Sequence, residues 1–232
     1  MTIEQFSASQ LRASPWKNGG GVTREVVAMP RGSGLADFAW RVSIADISMD
    51  SAFSQFPGVA RVITLLEGDG VELRSADGDV VHRLDRLFEP FPFAGEAQLA
   101  ASLLGGPSTD FNVMTRRGDV EANVRVVREH ERQPAASAGL LFVARGICAV
   151  QPIAEGDLDN SNQPEWRLTA DTGLWWADET IAWRVDVEAD GDVAPVLLAV
   201  HIRPAPPTRD ARLPYATGLN EIASPGISRP PD

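Results

Sequence analysis

The stretch Phe38-Ala39-Trp40-Arg41-Val42-Ser43-Ile44-Ala45 decides the fold class. Phe38, Trp40, Val42 and Ile44 fall on one side of an extended chain; Ala39, Arg41, Ser43 and Ala45 fall on the other. Side chains of a strand alternate between faces, so this spacing places a strand between an oily environment and a small or polar one. The polar side points either into a cavity or out to water, and the stretch alone does not choose. The pattern repeats along the chain. Residues 3–6, 22–27, 59–68, 98–104, 110–115 and 120–127 read as short strands, and Asp77-Gly78 marks a hairpin between 71–74 and 80–84. Residues 87–93 are apolar but interrupted by Pro90 and Pro92, which suits an edge or irregular strand. Residues 50–58 form a turn-rich link carrying two aromatics. With almost no helical periodicity, the chain is all-β, a barrel or a sandwich.

The 232 residues allow one large β domain or two small ones. A net charge of −11 without a basic cluster repels phosphates, which excludes a nucleic-acid partner. Cys148 is the single cysteine and lies in the apolar run 140–150, so it is expected to be buried packing, with no disulfide framework. The N-terminus lacks a basic region followed by an apolar core, and no apolar run reaches membrane-helix length. The expectation is a soluble, cytoplasmic protein with no membrane partner.

Chemistry gathers at Pro15-Trp16-Lys17-Asn18-Gly19-Gly20-Gly21-Val22-Thr23-Arg24-Glu25. Three glycines in a row exclude helix and leave main-chain N–H groups unobstructed. A cation and an amide at the mouth of such a turn suit a small anionic ligand, or the turn is an ordinary glycine loop with a solvated lysine. GxGxxG is absent and no Gly-Lys-Ser/Thr follows, so a nucleotide loop is excluded.

Residues 133–139 form the one plausible internal joint, and the pattern restarts beyond them. Residues 62–68 match 140–146 at an offset of 78 (146 − 68). Leu87-Phe88 match Leu174-Trp175, and residues 111–114 match 198–201, both at 87 (174 − 87, 198 − 111). The polar loop 155–164 absorbs the difference. A duplicated β unit follows. The expected division is a ligand-bearing half over 1–132, a supporting half over 138–205 and a Pro-rich tail over 206–232. The second unit has Ala199 where the first has Asn112, and it lacks a glycine turn with lysine.

Four segments in this order, Trp16-Lys17-Asn18-Gly19-Gly20-Gly21, Trp40-Arg41-Val42-Ser43, Phe53-Ser54-Gln55-Phe56-Pro57-Gly58-Val59-Ala60-Arg61 and Asp110-Phe111-Asn112-Val113-Met114, resemble the HutD/Ves family of cupin-type proteins. The likeness is close over 15–117 and a matter of spacing elsewhere. It implies a bicupin: two cupin-like β-barrel or jelly-roll halves in one chain, with few short helices, often as a homodimer. It also implies an association with bacterial histidine utilisation, which HutD is taken to restrain by binding a pathway intermediate, urocanate or N-formylglutamate. Metal-bearing cupins carry His-x-His, a Glu and a later His. Here His82, His130 and His201 are scattered, and each reads as a surface or satisfied core histidine. No metal or cofactor is expected.

The candidate ligand-binding residues are Trp16, Lys17, Asn18, Arg41, Ser43, Arg61, Asn112 and Met114. Arg61 interrupts an apolar run and offers a planar fork matched to a carboxylate; otherwise it is half of a structural ion pair. Arg41 and Ser43 share a face and present a guanidinium and a hydroxyl to one ligand, or to water. Asn112 and Met114 share a face, where Met114 walls a pocket or fills core. Trp16 covers an unsaturated ligand or caps the barrel mouth. Glu25 and Asp110 are the acids of these motifs; each is a lone base or an ion-pair partner of Arg or Lys, and ion pairing is the expected role. With no histidine, no Ser-His-Asp order and no carboxylate pair in the motifs, binding without turnover is favoured over a metal-free isomerase or hydrolase acting on a small carboxylate.

Overall fold

The structure, a computed structural model, describes residues 2–153 and 163–206. Among them are nineteen strands and one three-residue 3₁₀ helix, Ala8–Gln10, with no helix long and apolar enough to cross a membrane. The expected tail beyond residue 206 and most of the 155–164 loop lie outside the described residues.

Four sheets form two double-layered halves. A six-stranded sheet runs in the order β2 (Ala13–Pro15), β3 (Gly21–Met29), β4 (Trp40–Ile47), β11 (Ser108–Arg116), β6 (Val59–Glu67) and β9 (Pro90–Ala94). A four-stranded sheet packs on it, ordered β5 (Ser51–Ala52), β10 (Leu99–Leu103), β7 (Val71–Ser75) and β8 (Val80–Leu84). The other half pairs a five-stranded sheet, β1 (Thr2–Ser7), β17 (Thr172–Ala177), β14 (Ala138–Arg145), β19 (Val196–Pro204) and β12 (Val120–Val127), with a four-stranded one. That last sheet runs β13 (Glu131–Ala136), β18 (Ile181–Glu188), β15 (Ile147–Ile153) and β16 (Trp166–Thr169).

The halves repeat one topology. The order β4-β11-β6-β9 recurs as β12-β19-β14-β17, and β5-β10-β7-β8 recurs as β13-β18-β15-β16. Asn112 stands opposite Ile63, and Ala199 opposite Leu141, which reproduces the offsets 78 (141 − 63) and 87 (199 − 112). One expected match needs correction. Ile63 faces Phe91 and Leu141 faces Leu174, so the partner of Leu174 is Phe91, not Leu87. Phe88 lies before β9, in a left-handed conformation with φ 63°.

The sheets do not divide at residues 133–139. That segment is no joint: β13 runs through it to Ala136. β1 and β12, both within 1–132, are strands of the five-stranded sheet. The link 50–58 likewise contains β5, which pairs with β10.

Packing explains the alternation of β4. Trp40, Val42 and Ile44 join Phe111, Val113, Leu140, Phe142 and Val200 in the core between the two large sheets, where Phe142 lies 5.5 Å from Phe111 and 6.0 Å from Phe6. Each such side chain contributes about 1.5–3 kcal/mol on burial. Arg41, Ser43 and Ala45 therefore point into the first half. Phe38 departs from the expected face: the strand begins at Trp40, and Phe38 packs instead with Val59 and Met114. β9 holds Pro90 and Pro92 at a sheet edge, pairing only with β6, where a missing N–H costs least.

Candidate ligand-binding site

The interior of the first half is filled at one end. Ile47, Ile63, Leu65, Leu73 and Leu84 pack the two sheets together there. At the other end a cavity of about 540 Å³ opens, and all eight candidate residues line it: Trp16, Lys17, Asn18, Arg41, Ser43, Arg61, Asn112 and Met114. Register explains the convergence. On adjacent strands Arg41 stands opposite Met114 and Ser43 opposite Asn112, while Met114 also stands opposite Arg61.

Arg61 is the deepest cation. Its guanidinium carbon sits 4.7 Å from the Phe93 ring centroid, 5.4 Å from Phe53 and 5.6 Å from Phe56. Such faces attract a cation through the ring quadrupole. One of its N–H groups donates to the Ser54 carbonyl at 3.3 Å, while Nε is buried without a partner. Burial pulls its pKa down to about 10, Asp110 opposes that pull and Arg41 adds to it; the group stays charged at neutral pH. The alternative role, a structural ion pair, is not found for Arg61 among the described residues.

Arg41 is already engaged. Its Nε donates to Glu25 at 2.7 Å and one terminal nitrogen reaches Ser43 Oγ at 3.2 Å and Met114 Sδ at 3.8 Å. Glu25 is thus ion-paired, as expected. Lys17 and Asn18 are exposed at the rim. The glycine turn is not an anion cradle, because its N–H groups bond inward: Gly19 to the Trp16 carbonyl at 3.0 Å, Gly20 to Asn18 Oδ1 at 3.0 Å. Glycine is required at 21 by close approach, since a Cβ there would overlap the Asp46 carbonyl. Trp16 is pinned by a 2.7 Å bond from its indole N–H to Thr23.

Asp110 was expected in an ion pair, and here the structure differs. Its carboxyl lines the cavity, fully buried, with Oδ1 unpartnered. Desolvation raises its pKa to about 7, partly opposed by Arg61 and reinforced by Asp46. The signal for its position was its spacing: Asp110 and Asn112 are two residues apart and so share a face. The aromatic surround of Arg61 had no such signal, because Phe53 and Phe56 belong to the link and Phe93 to another strand.

The donors do not fit a metal. None of the three histidines lines the cavity: His82 stacks on Phe91 at 3.7 Å, His130 pairs with Asp186 at 3.2 Å, and His201 lies in the second half. Two guanidinium groups with one carboxylate present the wrong charge to a divalent ion. His201 also corrects an expectation: it is buried, yet both ring nitrogens lack a partner, and desolvation lowers its pKa to about 4. Cys148 is buried, and burial pushes its thiol up to about 12.

In the second half the equivalents of Arg61, Asn112 and Met114 are Gly139, Ala199 and His201 (61 + 78, 112 + 87, 114 + 87). A Cβ on Gly139 would lie 2.5 Å from the Trp176 ring, so that indole occupies the space a side chain would need. Leu141, Val143, Trp176 and Trp183 fill the interior.

Comparison with known proteins matches the HutD family over residues 8–195. Protein Ves of Escherichia fergusonii is 37% identical over 177 residues, 76% of this chain and 84% of that protein. A conserved protein of unknown function from Pseudomonas aeruginosa PAO1 superposes with a TM-score of 0.74 at 30% identity, covering 88% of this chain and 100% of that one. HutD from Pseudomonas fluorescens SBW25 gives 0.70 at 27% identity, with the same coverage.

Proposed function

This chain belongs to the HutD family, and from that premise we propose that it is a bicupin that binds a small anionic intermediate of histidine degradation, N-formylglutamate or urocanate, and so modulates histidine utilisation. The carrying observation is Arg61: a buried cation with no carboxylate partner among the described residues, facing a cavity of about 540 Å³. That volume falls within the range typical of small-molecule sites. A ligand carboxylate on Arg61 supplies the missing counter-charge in a desolvated setting, where charge-assisted bonds are strongest. Lys17 at the rim reaches a second carboxylate, which favours N-formylglutamate, while Asn112 holds the amide. In this reading the half built of β2 to β11 carries the site, and the half built of β1 and β12 to β19 supports it. The implied homodimer is read out by sedimentation velocity.

Isothermal titration with N-formyl-L-glutamate and with urocanate tests the proposal. Binding heat that Arg61→Ala abolishes supports it. No heat at millimolar ligand defeats it, and heat unchanged by Arg61→Ala moves the site elsewhere.

Asp110 favours a second reading, a metal-independent enzyme acting on a small carboxylate, because a buried acid titrating near 7 suits proton transfer. Steady product formation followed by NMR would select it over simple binding.

A further inference from the structure

Three groups of the cavity wall leave specific atoms unsatisfied: Arg61 Nε, Asp110 Oδ1 and Asn112 Oδ1 are all buried without a hydrogen-bond partner. They stand on two adjacent strands, β6 and β11, so one small molecule reaches all three. We propose that Asp110 orients the ligand as a carboxylic acid: it takes up one proton on binding and donates it to an acceptor oxygen of a ligand whose carboxylate lies on Arg61. This rests on the reading of the cavity as an anion site and adds to it a ligand feature, an acceptor oxygen beside the carboxylate.

The physical reason is charge balance in a dry site. The charged groups that share the cavity wall with Asp110 are Arg61 on β6 and Arg41 on β4, and Asp46, on the other face of β4, acts on it through the sheet. Asp46 is tied to Arg24 at 2.8 Å, and Arg41 to Glu25 at 2.7 Å, both from β3. Lys17 lies at the rim. Arg61 alone therefore balances the interior. An ionised Asp110 and an anionic ligand would compete for that one cation, and two anions sharing a buried site cannot both stay ionised cheaply. The ligand claims the guanidinium, and Asp110 takes a proton from solvent. With its free-state pKa near 7, the carboxyl is mostly ionised at pH 8 and mostly protonated at pH 6. Proton uptake on binding is then about 0.9 at pH 8 and about 0.1 at pH 6, and affinity falls about tenfold per pH unit above pH 8.

The test is titration of the full chain with N-formyl-L-glutamate, whose own carboxylates titrate far below this range. It is run at pH 8 in HEPES and in Tris, and at pH 6 in MES and in bis-Tris, pairs of buffers that differ in ionisation enthalpy. The expected result is a buffer-dependent heat at pH 8 that gives close to one proton taken up and nearly none at pH 6, while Asp110→Asn binds more weakly at pH 6, with no proton taken up at either pH and no fall in affinity from pH 6 to pH 8. Binding heat independent of buffer at pH 8 in the unmodified protein overturns the inference while leaving the anion site standing. Proton uptake that persists in Asp110→Asn overturns it too. Absence of all binding heat removes the anion site and this inference together.

Discussion

Asp110 and Arg61 stand on neighbouring strands and face one cavity without being bonded to each other. Asp110 Oδ1 and Arg61 Nε are both buried and both unpartnered. A fold optimised only for stability would close that pair or replace it with apolar side chains, since breaking a buried pair leaves several kcal/mol uncompensated. Keeping them apart leaves a cation for a visitor.

Replacing Arg61 should separate stability from binding. Arg61→Met removes a desolvated charge and leaves a flexible apolar chain among Phe53, Phe56 and Phe93. Combined with Asp110→Leu, which leaves no unpaired charge behind, it should give a ligand-free protein that gains about 1–2 kcal/mol in denaturant unfolding, while affinity for N-formyl-L-glutamate falls at least a hundredfold.

Two buried groups should tilt stability with pH in opposite directions. Asp110 is raised from 3.8 to about 7 in the fold, so its contribution is full below pH 3.8 and lost as pH rises through 7. His201 is lowered from 6.5 to about 4, so its contribution is present above pH 6.5 and lost as pH falls through 4. Asp110→Asn should stabilise the ligand-free protein at pH 8, and His201→Met should stabilise it at pH 4.5, each by roughly 2 kcal/mol. Thermal unfolding from pH 4 to 8 reads both; a flat difference from the parent protein contradicts the assignment.

Gly139 marks the plugged half. A methyl group there would lie 2.5 Å from the Trp176 ring and overlap the Val200 carbonyl oxygen. Gly139→Ala should cost about 2–3 kcal/mol by overpacking, while the folded fraction binds ligand with unchanged affinity. A loss of affinity at full folding would place the ligand site in the second half.

Much of this was legible in the chain. The alternation of Trp40, Arg41, Val42 and Ser43 separated the two faces of β4, and the spacing of Asn112 and Met114 put both on one wall, because strand geometry is local. Offsets 78 and 87 survive in the strand register, since sequence and pairing drift together within a duplicated unit. What failed was non-local. Nothing near Arg61 announces that Phe93 will cover it, and nothing near Thr2–Ser7 announces pairing with β17, some 170 residues on. Asp110 departs from the ion pairing usual for an acid near arginines, because its neighbours Arg41 and Arg61 come from other strands and neither bonds it. With Arg41 bonded to Glu25 and Lys17 at the rim, Arg61 is, among the described residues, the one interior cation of the cavity left unbonded to a carboxylate.

The most direct test is a crystal structure of the chain grown with N-formyl-L-glutamate. The account predicts a ligand carboxylate on the Arg61 guanidinium, with Asp110 and Asn112 on the same molecule. Ligand density outside the cavity, or a cavity closed by Arg61 turning onto Asp110, would contradict it.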